Sequence, residues 1–285
     1  MIVVTGATGH IGSELVRHLS AKSVSVRALT RDSRRAESLR GVEWVRGDLR
    51  DARSILDLLR GADRMFLLTS NSDDMQTVQT NAIEAARNAG VSYVVKGSAL
   101  GASDHSKSPI GKAHYEVERA LQESGMAWTI LRPHVFMQNL LDLAPTIARE
   151  GTIRAASGDG KIPFIDTRDI AAVAAVALTT SGHGGKKYVL TGPEALSYGD
   201  VARIIGTVVG RPVDYVAEST EEARERLVRA GTPDWMIESA LALAAYQRAG
   251  GPTAVVSKTV EEVLGRSPRS FAEFVQDHAS AFRGR

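Results

Sequence analysis

Through the first half of the chain, short apolar runs alternate with stretches in which apolar residues recur every three or four positions. The runs Ile2–Thr5, Val24–Leu29, Val42–Val45, Met65–Leu68, Tyr93–Val95 and Thr129–Leu131 read as strands, since they are short and mostly rich in β-branched or aromatic residues. Between them "HIGSELVRHLSA", "ARSILDLLRG" and "MQTVQTNAIEAARNAG" carry the helical period, and the last ends in Gly90, a fitting C-cap. Strands alternating with helices predict βαβ units, hence a parallel sheet with right-handed crossovers.

Beyond about residue 150 the rhythm changes. "EGTIRAASGDGKIPF" is Gly-rich and irregular, whereas "DTRDIAAVAAVALTT" reads as a capped, mostly buried helix. From Lys187 onward the pattern is helical with few strands. The expected architecture is α/β: a Rossmann-type doubly wound parallel sheet with a smaller, mainly helical C-terminal domain. The first domain is placed at 1–150 and a substrate-cleft domain at 151–285, with the helix near 167–180 packing back on the first.

The strand-to-helix turn of the first unit reads "VVTGATGHIG". Gly6 permits a tight turn, Gly9 lets the backbone approach a pyrophosphate, and Gly12 lets the helix pack closely on the sheet. Free N–H groups at the positive helix end would meet the phosphates. The second strand runs into Arg31, with Arg34 and Arg35 close behind. A forked guanidinium suits the extra phosphate of NADPH, whereas a carboxylate at that place would favour NADH. Asp32 is read as the cap of a helix over "SRRAESLR", which leaves Arg31 to select NADPH over NADH. Asp48, in "VRGDLR", either faces the adenine or caps the next helix.

Composition narrows the options. The chain has 285 residues, 43% hydrophobic and 24% charged, enough for a substantial core. Its 35 basic and 33 acidic residues leave "RDSRR" as the one basic concentration, so no nucleic-acid partner is expected. With no cysteine there are no disulfides, thiolate nucleophiles or Cys-bound metals. The seven histidines are scattered without HExxH spacing, so no metal site is expected. A first strand beginning at residue 2 leaves no room for a leader, and no apolar run approaches the roughly 20 residues that span a bilayer. A cytoplasmic protein away from membranes is expected; a homo-oligomer is one option that the sequence leaves open.

The spacing TGxxGxxG, "GDL" at Gly47–Leu49, "ESGMAWTILRPHVFMQNL" and "GDGKIPFIDTRDIAAVAA" together resemble the NmrA-like branch of atypical short-chain dehydrogenases. Within that branch the resemblance runs to NADPH-dependent type 2 quinone oxidoreductases. It implies loop contacts to the cofactor from Thr8, His10 and Ile11, a 2′-phosphate contact from Arg31, and cofactor contacts at Asp48 and Leu49. It further implies Thr69, Ser70 and Asn71 along the ribose and nicotinamide, then Gly97, Ser98, Pro133, Phe136 and Asn139 at later strand ends. Members include non-enzymatic nucleotide sensors, which leaves an NADP(H)-sensing regulator as the alternative reading.

A typical short-chain dehydrogenase protonates its substrate with Tyr, aided by Lys one turn on. None of the six tyrosines here has Lys at the fourth following position; the nearest match is Tyr115 with Arg119. Arg cannot share a proton near neutral pH. His114 is the other candidate, able to orient a substrate oxygen or to act as general acid near pH 7 because its ordinary pKa is about 6.5, and Glu118 one turn on either orients it or balances charge on that helix face. Phe136, Met137, Trp235, Met236 and Tyr246 are expected to line an apolar pocket between the domains, with Ser98, His114 and Asn139 as its polar groups. Without a strong acid, the chemistry is expected to be hydride transfer to a quinone or similar electron-poor conjugated small molecule. An imine, an azo dye or an enone is the weaker alternative.

Overall fold

The computed structural model describes residues 1–284. Two compact units divide the described residues: Met1–His105 with Gly111–Pro133 and Thr167–Val189, and Ser106–Ile110 with His134–Asp166 and 190–284.

The first unit follows the βα rhythm read from the sequence. Strands β1 (Ile2–Val4), β2 (Val26–Thr30), β3 (Val42–Arg46), β4 (Arg64–Leu67), β5 (Tyr93–Gly97) and β6 (Ala127–Pro133) alternate with α1 (His10–Ala21), α2 (Ala52–Leu59), α3 (Met75–Asn88) and α4 (Pro109–Glu123). The sheet order is β3-β2-β1-β4-β5-β6, with β8 (Lys186–Leu190) beside β6. β1 to β6 pair in parallel, for example Val3 with Arg27 and with Met65. The order reverses between β1 and β4, which makes the carboxyl ends of these strands the topological switch point where open α/β sheets bind ligands. Helix α6 (Thr167–Thr179) packs on α1 and is buried nearly all round, in keeping with its run of Ala, Val and Ile.

In the second unit β7 (Thr152–Ala155) pairs in parallel with β9 (Asp214–Ala217). The rest is helical: α5 (Asn139–Glu150), α7 (Tyr198–Val209), α8 (Thr220–Arg229), α9 (Asp234–Ala249), α10 (Thr259–Leu264), α11 (Phe271–Asp277) and α12 (Ala279–Arg283). Met137, Leu140, Ile147, Phe164, Ile205, Phe271 and Phe274 form its core. Ser–acid capping boxes at Ser197/Asp200, Ser219/Glu222 and Ser270/Glu273 start three of the helices.

Three readings are revised by these elements. The chain changes unit after Pro133 rather than at 150, because α5 joins the apolar cluster of the second unit. "SRRAESLR" forms only one 3-10 turn, Ser33–Arg35, after which the backbone turns extended at Ala36 and the Glu37 carbonyl accepts from Trp44 Nε1 at 2.7 Å. The "EGTIRAASGDGKIPF" stretch contains β7, where a four-residue strand burying Ile153 alone is too short to show alternation. No helix among the described residues is long and apolar enough to cross a membrane.

Candidate functional site

The glycine loop follows β1 directly. Gly6 has φ +62°, and a Cβ there would lie 2.8 Å from the Leu68 carbonyl oxygen. Only glycine meets both demands. At Gly12 a Cβ would come within 2.1 Å of the Gly6 carbonyl oxygen, so this glycine sets how closely α1 meets the loop. Gly9 differs. Its φ is −85°, and the nearest protein atom to a Cβ there would be 3.4 Å away. The fold itself hardly requires glycine at 9; its missing side chain instead clears an exposed approach to the start of α1, where no side chain caps the first-turn N–H groups. An uncapped helix start behind an open glycine is the cradle that a pyrophosphate fits.

The neighbouring strand ends are stitched to this loop. Thr5 Oγ1 donates to the Leu68 carbonyl at 2.8 Å and accepts from Leu68 N at 2.9 Å. Thr69 Oγ1 accepts from Gln79 Nε2 of α3 at 2.7 Å, whereas Ser70 and Asn71 are exposed. Ser98 N donates to the Leu131 carbonyl at 2.7 Å, which continues the β5–β6 ladder past Gly97, and Pro133 closes β6.

Beyond β2, Arg31 is exposed. Arg34 instead clasps Asp32 through Nε and Nη2 at 3.0 and 2.9 Å. Asp32 also caps the 3-10 turn, accepting from Arg34 N, and these hydrogen bonds hold its carboxyl below the usual range. Its acceptor oxygens are thus engaged within the loop. Arg35 donates to the Thr8 carbonyl at 2.7 Å, across a recess of about 290 Å³ lined by Thr8, Ser13, Arg17, Glu37 and Trp44. Asp48 is not a helix cap: it accepts from Arg50 N at 2.9 Å, while Asp51 caps α2. Leu49 is buried beside it.

The polar centre of the unit lies between β5 and α4. Lys96 has no exposed surface, and its ammonium reaches the Gly97 carbonyl and His114 Nδ1, the latter at 3.2 Å. Burial pulls the Lys96 pKa down to about 7, against the opposing pull of Glu118. Burial and the Lys96 charge push His114 well below its ordinary value. His114 is therefore neutral near pH 7, which removes the stored imidazolium proton that its ordinary pKa suggested.

Glu118, also fully buried, accepts from Ser98 Oγ at 2.6 Å and from Arg132 Nε at 2.9 Å, and Lys187 lies at 3.3 Å. Burial pushes its carboxyl up, but the bonds from Arg132 and Ser98 outweigh that and leave it below the usual range. Its hydrogen-bond partners are therefore Ser98 and Arg132 rather than His114. Tyr115 gains no support from Arg119, which turns outward to Glu116 at 3.0 Å and Glu123 at 3.8 Å.

In the second unit Met137 is core rather than pocket lining. Phe136 bridges to Ile165, Trp235 is half-buried at the start of α9, and Asn139, Met236 and Tyr246 are exposed. Sequence reasoning missed Lys96, Arg132 and Lys187. A lysine inside the apolar run "YVVKG" was the available signal, since a parallel strand is covered on both faces.

Comparison with known proteins agrees with this architecture. The model of the NmrA-like family matches residues 1–275. An NAD(P)H azoreductase of Xenophilus azovorans is 42% identical over 99% of each chain. Quinone oxidoreductase 2 of Escherichia coli is 31% identical, over 96% of this chain and 97% of its own. The crystal structure of the NADPH-dependent quinone oxidoreductase QOR2 of Escherichia coli, complexed with NADPH, superposes with a TM-score of 0.89 at 29% identity, over 98% of this chain and 100% of that one. This chain belongs to the NmrA-like family.

Proposed function

We propose that this protein is an NADPH-dependent oxidoreductase that reduces quinones and similar electron-poor conjugated small molecules. The observation that carries the reading is the glycine cradle at the switch point of the sheet, with Gly9 open to the outside and the first turn of α1 uncapped. The residues present fit NADPH: Thr8 to Gly12 around the pyrophosphate, Arg31 toward the 2′-phosphate, and Thr69, Gly97 and Ser98 at the strand ends toward the nicotinamide half. When bound, NADPH supplies the hydride. The names of the quinone oxidoreductase and azoreductase relatives, which align along nearly the whole chain, support an acceptor of this class.

The chain's own residues explain why such an acceptor suits it. Ketone reduction builds an alkoxide, which calls for a strong positioned acid. Neither Tyr115 nor any other tyrosine here has the lysine partner that would supply one. A hydroquinone or hydrazo anion is far less basic, so a weaker donor suffices, and positioning provides most of the acceleration. The 42% identity to an azoreductase favours azo compounds as a second acceptor class. NADPH consumption measured against benzoquinone, a naphthoquinone, an azo dye and a simple ketone tests the reading. Turnover with the quinones or the dye and an inert ketone is expected. Equal turnover of the ketone, or none with any acceptor, would overturn it.

A further inference from the structure

Hydride addition leaves an anion that needs a proton, and the unit has one buried group that can store it. We propose that Lys96 and His114 form a proton relay, in which the Lys96 ammonium donates to His114 Nδ1 and the opposite imidazole nitrogen, Nε2, delivers its proton to the reduced acceptor. The inference rests on the reading above, because it needs an acceptor that becomes an anion.

The geometry of the pair carries it. Lys96 Nζ lies 3.2 Å from Nδ1 and also reaches the Gly97 carbonyl. An ammonium has only donors to offer, so Nδ1 must accept. That fixes neutral His114 with its proton on Nε2, a hydrogen-bond donor directed away from Lys96. The strand neighbours of Lys96 in register are Leu67 on β4 and Ile130 on β6, both apolar. The charged group that acts on Lys96 is Glu118 on α4, which is itself bound by Arg132 on β6 and Lys187 on β8. Glu118 therefore favours the charged lysine from a distance, while Arg132 and Ser98 occupy its oxygens and keep it from taking the proton itself.

The relay balances. The acceptor takes a hydride from NADPH and becomes an oxyanion or a nitrogen anion. The N–H bond at Nε2 breaks as the O–H or N–H bond of the product forms; the Nζ–H bond breaks as Nδ1–H forms. His114 remains neutral but ends protonated on Nδ1, and Lys96 ends as an amine; the cycle resets when water supplies a proton at Nε2 and Nδ1 returns its own to Lys96 Nζ, restoring the ammonium and the Nε2–H tautomer. A lysine whose pKa lies near 7 gives up and regains this proton more readily than an ordinary one.

Two variants separate a relay from mere packing. Lys96→Gln keeps an N–H donor for Nδ1 but cannot titrate, and Lys96→Met removes both. The wild type should show kcat falling as pH rises through about 7, where Lys96 loses its proton. Both variants should turn over quinone or azo dye at least tenfold more slowly, with no such step and with KM little changed. Independently of turnover, 15N spectra of the histidine side chains in the free protein should show His114 as the Nε2–H tautomer, with Nδ1 shifting as Lys96 titrates. That shift should be absent in both variants. Wild-type turnover by Lys96→Gln, or a His114 signal that does not respond between pH 6 and 9, would overturn the relay. No turnover by the wild type with any acceptor would instead overturn the functional reading, and the relay with it.

Discussion

Glu118→Ala is expected to lower the unfolding free energy by about 2–4 kcal/mol at pH 7, read from urea or guanidinium denaturation. The side chain is 1% exposed and holds Arg132, which is 20% exposed, together with Lys187, which is 35% exposed. Removing one partner of a buried ion pair strands the other, but both cations can turn partly to water, so the loss falls at the lower end of the usual range. Ser98 Oγ would also lose its acceptor. The pH dependence has a definite sign. The folded-state pKa of Glu118 lies below its ordinary 4.5, so its contribution is present above that value and disappears as pH falls through the lower one. Wild type and Glu118→Gln should differ at pH 7 and converge in that acid range. Equal stability at pH 7 would mean that the Glu118–Arg132 bonds contribute nothing.

Arg31→Ala is expected to weaken NADPH binding about 10–100-fold, the worth of a charge-assisted hydrogen bond to phosphate, while leaving NADH nearly untouched. Fluorescence titration of each cofactor measures it. The expectation follows from how the three arginines after β2 are engaged. Arg34 is spent on Asp32 and Arg35 on the Thr8 carbonyl, whereas Arg31 stands exposed at the strand end. With its oxygens bound by Arg34, Asp32 is poorly placed to serve as a ribose ligand for NADH. Equal losses for the two cofactors would contradict this assignment of Arg31.

Much of this was legible in the chain because local physics demanded it. Gly6 and Gly12 are required by a positive φ and a close backbone approach, and such demands leave their mark in the sequence. The six parallel strands were visible as continuous apolar runs. What was hidden came from tertiary contact. β8 begins "KK" and joins the sheet as an edge strand beside β6, so little in its five residues announces a strand. Arg132 and Lys187 meet Glu118 from two different strands, which no spacing rule connects. His114 is legible on α4, but its partner is not Glu118 one turn along the helix; it is Lys96, across on β5. The helix expected over 33–40 gives way at Ala36, where the backbone turns extended, and the Glu37 carbonyl is met by Trp44 from β3 rather than by a helical N–H.

The most direct measurement is a single-turnover reaction of the protein with a naphthoquinone and NADPH carrying deuterium at the transferred nicotinamide C4 position, followed by stopped-flow absorbance. Single turnover keeps product release from masking the chemical step. Direct hydride transfer at this site predicts quinone-dependent oxidation of NADPH that slows measurably with the deuterium. NADPH that binds but is not consumed, with quinone or azo dye in excess, would contradict the account and leave a protein that only senses the nucleotide.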